Sequence, residues 1–353
     1  MNKVQHNLWM FGRDDCTRCG GLVIFLILQL QASPKCDGRC SVAQKIKKIK
    51  FCVTCVMDSS FKHGRRNDCL TSSANSDISS QLPQFLTKIS SLPDKMEFMQ
   101  ILACQYDIAW EDKQANFRQI DRMLHHEAIS PGALIVLPEM FSTGFSFNMD
   151  TVAEDTQRPA EQYMAQLAAD TESCVIGGVV TRDLSGKGLN QALAMGPDGL
   201  AISRFTKLHP FSPAGEHHHF HRGHAPEVFD WQGWRIAMFV CYDLRFPEAF
   251  RLASKQDAQV MVVIANFPAK RDHHWRSLLV ARAIENQCYI VAVNRIGSDP
   301  NAKYCGSSLI VDPMGHIVKD AGSEQKVLNI ELEQDNLCEY RKAFPVLRDR
   351  WMI

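Results

Sequence analysis

From residue 96 onward the chain alternates two kinds of hydrophobic pattern. Short, continuous apolar runs at 100–103, 133–137, 174–180, 236–240, 260–265 and 288–293 read as buried strands. Between them, residues 115–126 place Phe117, Ile120, Met123 and Leu124 on one helical face, and 161–169, 247–253 and 275–286 also read as helices. Residues 190–195 lead through Gly196-Pro197-Asp198-Gly199 into 200–205, a hairpin with strong turn chemistry. Residues 306–318 repeat that arrangement around Asp312-Pro313-Met314-Gly315. Two halves of alternating strands and helices, each closed by a Pro/Gly hairpin, predict an α/β protein with two packed sheets flanked by helices, a four-layer α-β-β-α sandwich.

Residues 1–95 show no sustained period. They hold Cys16, Cys19, Cys36, Cys40, Cys52, Cys55 and Cys69, a lysine run (Lys45, Lys47, Lys48, Lys50) and a serine-rich stretch at 71–80. The apolar run 22–28 is too short to span a bilayer, and Asp14 and Asp15 spoil the basic leader that a signal peptide needs. The Cys16/Cys19 and Cys52/Cys55 pairs have zinc-like spacing, so a small zinc module is one reading. The preferred reading is a poorly ordered, cysteine-rich extension, upstream sequence ahead of a native start at Met96. The chain then divides into 1–95 and a functional domain of 96–353.

Composition narrows the class of function. The 353 residues are 45% hydrophobic, enough for a substantial core. Lysine plus arginine and aspartate plus glutamate balance at 39 each, which leaves no overall field to attract nucleic acid or an anionic membrane. Small-molecule chemistry is expected. The later cysteines (Cys104, Cys174, Cys241, Cys288, Cys305, Cys338) lack paired spacing, as expected of reduced thiols in a cytoplasmic enzyme.

Three reactive side chains stand at element ends. Cys241 closes the apolar run 236–240, Glu139 follows 133–137 after Pro138, and Lys207 ends the first hairpin. Strand ends are where α/β proteins place reactive groups, because the sheet is rigid and the loop beyond it is open to substrate. A thiol needs an ammonium to favour its thiolate and a carboxylate to take its proton, and these three residues supply both.

The blocks Leu137-Pro138-Glu139-Met140-Phe141, Lys207-Leu208-His209-Pro210-Phe211 and Cys241-Tyr242-Asp243-Leu244-Arg245-Phe246-Pro247-Glu248 resemble the three signature motifs of the nitrilase (carbon-nitrogen hydrolase) superfamily, in order. The resemblance covers about residues 97–353 and implies the four-layer sandwich already read from the pattern. It also implies a second glutamate, matched by Glu216 in Pro213-Ala214-Gly215-Glu216-His217-His218. Trp275, the run Leu278-Leu279-Val280-Ala281-Arg282-Ala283-Ile284-Glu285-Asn286-Gln287, Asn294-Arg295-Ile296-Gly297 and the tail Phe344-Pro345-Val346-Leu347-Arg348-Asp349 look most like the omega-amidase branch. That branch removes ammonia from the terminal amide of short dicarboxylate monoamides, notably 2-oxoglutaramate and 2-oxosuccinamate.

By this resemblance Glu139, Lys207, Cys241 and Glu216 are the expected catalytic residues, and Tyr242, Arg245, Asn266 and Phe145 the expected substrate contacts. No metal or organic cofactor is expected. His217, His218, His219, His221 and His224 read as a polar loop over the site mouth rather than a zinc site. Arg245, Arg271 and Arg276 are the alternatives for holding a substrate carboxylate. A homodimer or higher homo-oligomer is expected. The rival readings are another hydrolase of the superfamily, acting on an N-carbamoyl compound, aliphatic amide or nitrile, a non-catalytic binding protein on the same fold, and a zinc-binding regulator built on the first cysteines.

Overall fold

The computed structural model describes residues 98–351 throughout and, ahead of them, the backbone of three strands: β1 (His6–Arg13), β2 (Val23–Ala32) and β3 (Ile46–Val56). These three pair antiparallel, Leu8 opposite Leu28 and Leu28 opposite Phe51, where the sequence shows no sustained strand period. Cys16, Cys19, Cys36, Cys40 and Cys69 lie outside the described residues. The first strands belong to a unit, 1–85, separate from the one that follows.

The second unit is built on two sheets. The first uses β4 (Phe98–Gln105), β5 (Leu134–Val136), β6 (Cys174–Arg182), β7 (Gly188–Met195) and β8 (Ala201–Thr206), with the short β9 (Phe220–His221) on β7. The second uses β10 (Val228–Trp231), β11 (Trp234–Val240), β12 (Val260–Ala265) and β13 (Tyr289–Asn294). A separate hairpin, β14 (Ile296–Ser298) with β15 (Lys303–Cys305), precedes β16 (Leu309–Val311) and β17 (Ile317–Asp320), which complete the second sheet. Finally β18 (Lys326–Glu333) returns to the first sheet beside β4.

Both sheets follow one plan. β4, β5 and β6 run parallel and are extended antiparallel by β7 and β8; β11, β12 and β13 run parallel and are extended antiparallel by β16 and β17. Each set carries one antiparallel edge strand, β18 on β4 and β10 on β11. The repetition expected from the two Pro/Gly hairpins is therefore a repetition of topology.

Alternation along β4 decides the layers. Met99, Ile101 and Ala103 join a core with Ile236, Met238 and Val240 of the facing sheet. Leu102 and Cys104 point the other way, into a core with two helices. Those helices are α1 (Lys113–Leu124) and α2 (Pro159–Thr171). α1 starts at Asp112, whose carboxylate accepts the Ala115 N–H at 2.9 Å, and buries Asn116, Phe117, Ile120 and Leu124 at i, i+3/i+4 spacing. α3 (Pro247–Lys255) and α4 (Asp272–Asn286) cover the second sheet through Ala249, Phe250, Ala253, Trp275, Leu279 and Ala283. The α/β four-layer sandwich expected from the sequence is present. β10, β18 and α5 (Gln334–Ala343) are additions to the elements expected from the sequence.

The Gly177-Gly178 pair in β6 has a packing reason. The Gly178 N–H donates to Pro138 O at 3.0 Å and its carbonyl accepts from the Phe141 N–H at 3.3 Å, so the strand bonds on either side of Glu139. A Cβ on Gly178 would lie 2.3 Å from Met140 N and 2.6 Å from Glu139 Cα, both backbone atoms with no room to yield. Gly178→Ala is expected to destabilise the fold by about 1–3 kcal/mol, seen as a lower urea midpoint; an unchanged midpoint would show that the 138–141 loop gives way freely.

Candidate active site

Several of the candidate residues sit just beyond a strand. Glu139 follows β5, Lys207 follows β8, Cys241 follows β11 and Asn266 follows β12. Glu216 begins a one-turn helix, Glu216–His219, on the connection from β8 to β9. Because the two sheets pack face to face with the same plan, equivalent strand ends meet: Asn266, after the second parallel strand of its sheet, touches Glu139, after the second parallel strand of the other.

The centre is a buried ion cluster. The Lys207 ammonium lies 2.8 Å from Glu139 Oε1 and 2.9 Å and 3.1 Å from Glu216 Oε2 and Oε1. All three side chains are within the interior, at 0–1% exposure, which makes their pairing obligatory. The Asn266 N–H donates to Glu139 Oε2 at 2.9 Å, and its side-chain amide donates to the Glu139 carbonyl at 2.7 Å and, more weakly, to Oε2 at 3.3 Å. Glu216 also accepts the Phe211 N–H. The ring of Phe145 lies 5.4 Å from the Lys207 ammonium.

Cys241 is held in a sharp bend. β11 runs straight into the 3-10 turn Cys241–Arg245, and the cysteine takes φ = 48°, a conformation that costs about 1–3 kcal/mol for a residue with a Cβ. Its thiol, 8% exposed, points to the carbonyl of Asn266 at 3.9 Å. The first N–H groups of a 3-10 turn have no partner inside it, and that of Tyr242 is one of them.

Asp243 fixes this bend to the lysine loop. Its buried carboxylate accepts the N–H groups of Val240 (3.2 Å), Leu208 (3.4 Å) and His209 (2.9 Å), and bonds His209 Nδ1 at 2.8 Å. Neither Asp243 nor Asn190, the other buried polar residue here, was among the residues expected from the sequence. Asn190 lies on β7 and donates to both glutamates. A polar residue in register with the inward-facing Ala192 and Ala194 was the available signal.

The protonation pattern follows from burial and neighbours. Burial opposes the charged form of Glu139, but Lys207, Asn190 and Asn266 outweigh it and hold its carboxyl below the usual range. Burial also opposes the Lys207 ammonium, and Glu139 and Glu216 overcome it, raising its pKa. For Cys241, burial and the Glu139 charge push the thiol well above its ordinary range, and Lys207 only partly offsets them. The ammonium expected to favour the thiolate does lower the thiol pKa, but burial and the Glu139 charge outweigh it. Both directions favour a neutral thiol beside an ionised carboxylate.

Arg245 lies 5.9 Å from the Tyr242 ring and 5.5 Å from that of Phe267, with Nη2 3.2 Å from His274 Nδ1. Arg271 lies over Phe211, which packs edge-on against Tyr242. Arg276 is taken by Asp320 at 2.6 Å. The histidine segment, expected as a loop, contains the Glu216–His219 turn and β9; His219 stacks on Phe147 and His221 pairs with Asp183 at 3.1 Å. Among the described residues no three His, Cys, Asp or Glu side chains converge as a metal site, and no helix is long and apolar enough to cross a membrane. Clefts of 480 and 560 Å³ open elsewhere, around Asp150 and Asp155, and none of the candidate residues lines them.

A thiol, an ammonium and two carboxylates gathered at strand ends between the sheets of an α-β-β-α sandwich define a class of architecture. The chain belongs to the carbon-nitrogen hydrolase family, whose model matches residues 101–342. It is 41% identical over 258 residues to the omega-amidase YafV of Yersinia enterocolitica, covering 72% of this chain and 97% of that one. It is 31% identical over 250 residues to the 2-oxoglutaramate amidase of Bacillus subtilis, covering 70% and 96%. Among solved structures it is similar to XC1258 of Xanthomonas campestris, a protein of the same superfamily with an arsenic adduct in its active site. That match has a TM-score of 0.68 and 31% identity, and covers 73% of this chain and 99% of that one.

The protonation pattern makes thiol reactivity depend on the carboxylate. Glu139→Gln is expected to slow alkylation of Cys241 by iodoacetamide at pH 7 at least about tenfold, followed by peptide mass spectrometry; equal rates would show that Glu139 does not serve this thiol.

Proposed function

We propose that this chain is an omega-amidase, hydrolysing the terminal amide of short dicarboxylate monoamides such as 2-oxoglutaramate to the acid and ammonia. The observation that carries the reading is the buried Glu139–Lys207–Glu216 cluster beside Cys241, in a chain 41% identical to an omega-amidase over nearly that protein's whole length.

In the proposed reaction Glu139 takes the Cys241 proton as the sulfur attacks the amide carbon. Oε2 is the oxygen suited to receive it, because Oε1 is filled by Lys207 and Asn190 while one contact of Oε2 is long, at 3.3 Å. The carbonyl π electrons move to oxygen, and Lys207 and the Tyr242 N–H stabilise that oxyanion. Protonated Glu139 passes its proton to the departing nitrogen as the C–N bond breaks, releasing ammonia and leaving a thioester on Cys241. A water then gives a proton to Glu139 and attacks the thioester; collapse breaks the C–S bond, frees the acid and returns the thiol. Glu216 keeps Lys207 aimed. No step calls for a metal or an organic cofactor.

For the substrate's free carboxylate we favour Arg245. It stands four residues after the nucleophile, flanked by Tyr242 and Phe267, and among the described residues no carboxylate pairs with it, whereas Arg276 is engaged by Asp320. Asn266, bonded to Glu139, and Phe145, beside the Lys207 ammonium, are the other proposed substrate contacts. The reading assigns the activity to residues 96–353. It also carries a cytoplasmic location, in keeping with the free thiols of the described cysteines, and a homodimer or higher oligomer.

Ammonia release from 2-oxoglutaramate tests the reading, beside a nitrile, an N-carbamoyl amino acid and glutamine. Release from the keto-amide that vanishes in Cys241→Ala is expected. Release only from another compound would move the assignment elsewhere in the family, and no release at all would favour a binding protein. Arg245→Ala should raise KM for 2-oxoglutaramate on the order of 10- to 100-fold, with a smaller change in kcat; an unchanged KM would assign the carboxylate to another group.

A further inference from the structure

Asn190 occupies a position that the four-residue reaction scheme leaves without a role. It lies on β7, paired with Val180 of β6, and its carbonyl accepts the Lys207 N–H at 2.9 Å, so its backbone is fixed between the strand beside Glu139 and the strand end bearing Lys207. Its side chain enters the ion cluster. One amide nitrogen donates to Glu139 Oε1 at 2.8 Å and to Glu216 Oε1 at 2.9 Å, one hydrogen to each.

The orientation of that amide is dictated by its neighbours. Turned over, it would set its oxygen against two carboxylates; as placed, its Oδ1 has no partner and is buried, a state that native interiors seldom tolerate. The site accepts an orphaned acceptor in order to keep the doubly donating nitrogen. The need is electrostatic, since one ammonium faces two carboxylates, and a second cation would compete with Lys207 for them. A neutral donor of two hydrogens holds both without adding charge.

We infer that Asn190 is a positioning residue of the reaction, whose single amide nitrogen clamps Glu139 and Glu216 about Lys207 and so sets both the aim and the readiness of the base. This rests on the assignment of Glu139 as base. Three charged or titratable groups face that carboxylate: Lys207 from the end of β8, Glu216 from the one-turn helix after it, and Cys241 from the end of β11. Asn266 adds its N–H from the end of β12. Asn190 is one of the donors that hold the Glu139 carboxyl below its ordinary range. Its removal therefore moves that carboxyl upward, and the fraction of Glu139 able to take a proton falls at the acidic end.

The test follows two readouts in Asn190→Ala and Asn190→Ser, with folding checked by thermal melting. The first is the pH dependence of Cys241 alkylation by iodoacetamide, located by peptide mass spectrometry, which needs no substrate. In Asn190→Ala its acidic inflection is expected at higher pH than in the unaltered protein, with Asn190→Ser, which keeps one donor, in between. The second is turnover of 2-oxoglutaramate, where Asn190→Ala should lower kcat on the order of 10²-fold and leave KM within about threefold. An inflection at the same pH as in the unaltered protein, in whichever variant folds, overturns the inference and leaves Asn190 a packing residue. Should the unaltered protein release no ammonia from the keto-amide, the substrate assignment fails while the alkylation profile still decides the role of Asn190.

Discussion

The molecule is organised around one costly interaction, an ammonium enclosed by two carboxylates with almost no water. Stripping such ions of solvent costs several kcal/mol each, and their mutual attraction recovers this only when the geometry is good and the remaining lone pairs are satisfied. The structure meets both conditions with fixed groups. Glu139 receives Lys207, Asn190 and Asn266, and Glu216 receives Lys207, Asn190 and the Phe211 N–H. Except for the Phe211 N–H, every donor comes from a strand or the residue directly after one, so most of the charge is held by elements that packing has already made rigid.

The repeated topology makes that possible. Two sheets of the same plan, packed face to face, bring corresponding strand ends into contact, and the residues there are complementary partners. Asn266 offers donors where its counterpart Glu139 offers acceptors. Gly178 lets β6 run against the Glu139 loop more closely than any other residue would, and Asp243 ties the cysteine bend to the lysine loop by accepting four donors from three residues. These contacts lie outside the reacting atoms, yet they determine where those atoms are.

The parts of the fold legible in the sequence are those that physics makes locally conspicuous. Central strands buried on both faces appear as continuous apolar runs, and the strand-end residues Glu139, Lys207 and Cys241 stand out where those runs stop. The edge strand β18 is not legible, because only Leu328 and Leu332 of its eight residues are fully buried and Lys326, Asn329, Glu331 and Glu333 interrupt the apolar pattern. Asn190 is inconspicuous for a different reason. Its partners lie 51 and 26 residues away, and a single asparagine in an apolar strand carries no local sign of what faces it. Asp243 was in plain view inside a recognised motif, but its role emerges only when the 3-10 turn directs its carboxylate back toward three backbone donors.

The charge count of the cluster constrains how its thiol can react. Glu139, Glu216 and Lys207 together already carry one net negative charge in the interior, so a resting thiolate at Cys241 would double it in a medium that screens poorly. Transfer of the thiol proton to Glu139 avoids this, because the negative charge leaves one group as it forms on the other and the total is unchanged. When a carbonyl carbon is in place, that charge moves on to the oxygen, next to Lys207. An isolated, permanently activated cysteine would be reactive toward any electrophile. On the proposed reading, a neutral thiol paired with an ionised base attacks a carbonyl carbon faster than other electrophiles, because the lysine and the turn N–H can receive the displaced electrons. On that reading the same buried ion cluster that burdens the fold favours reaction with a correctly seated substrate.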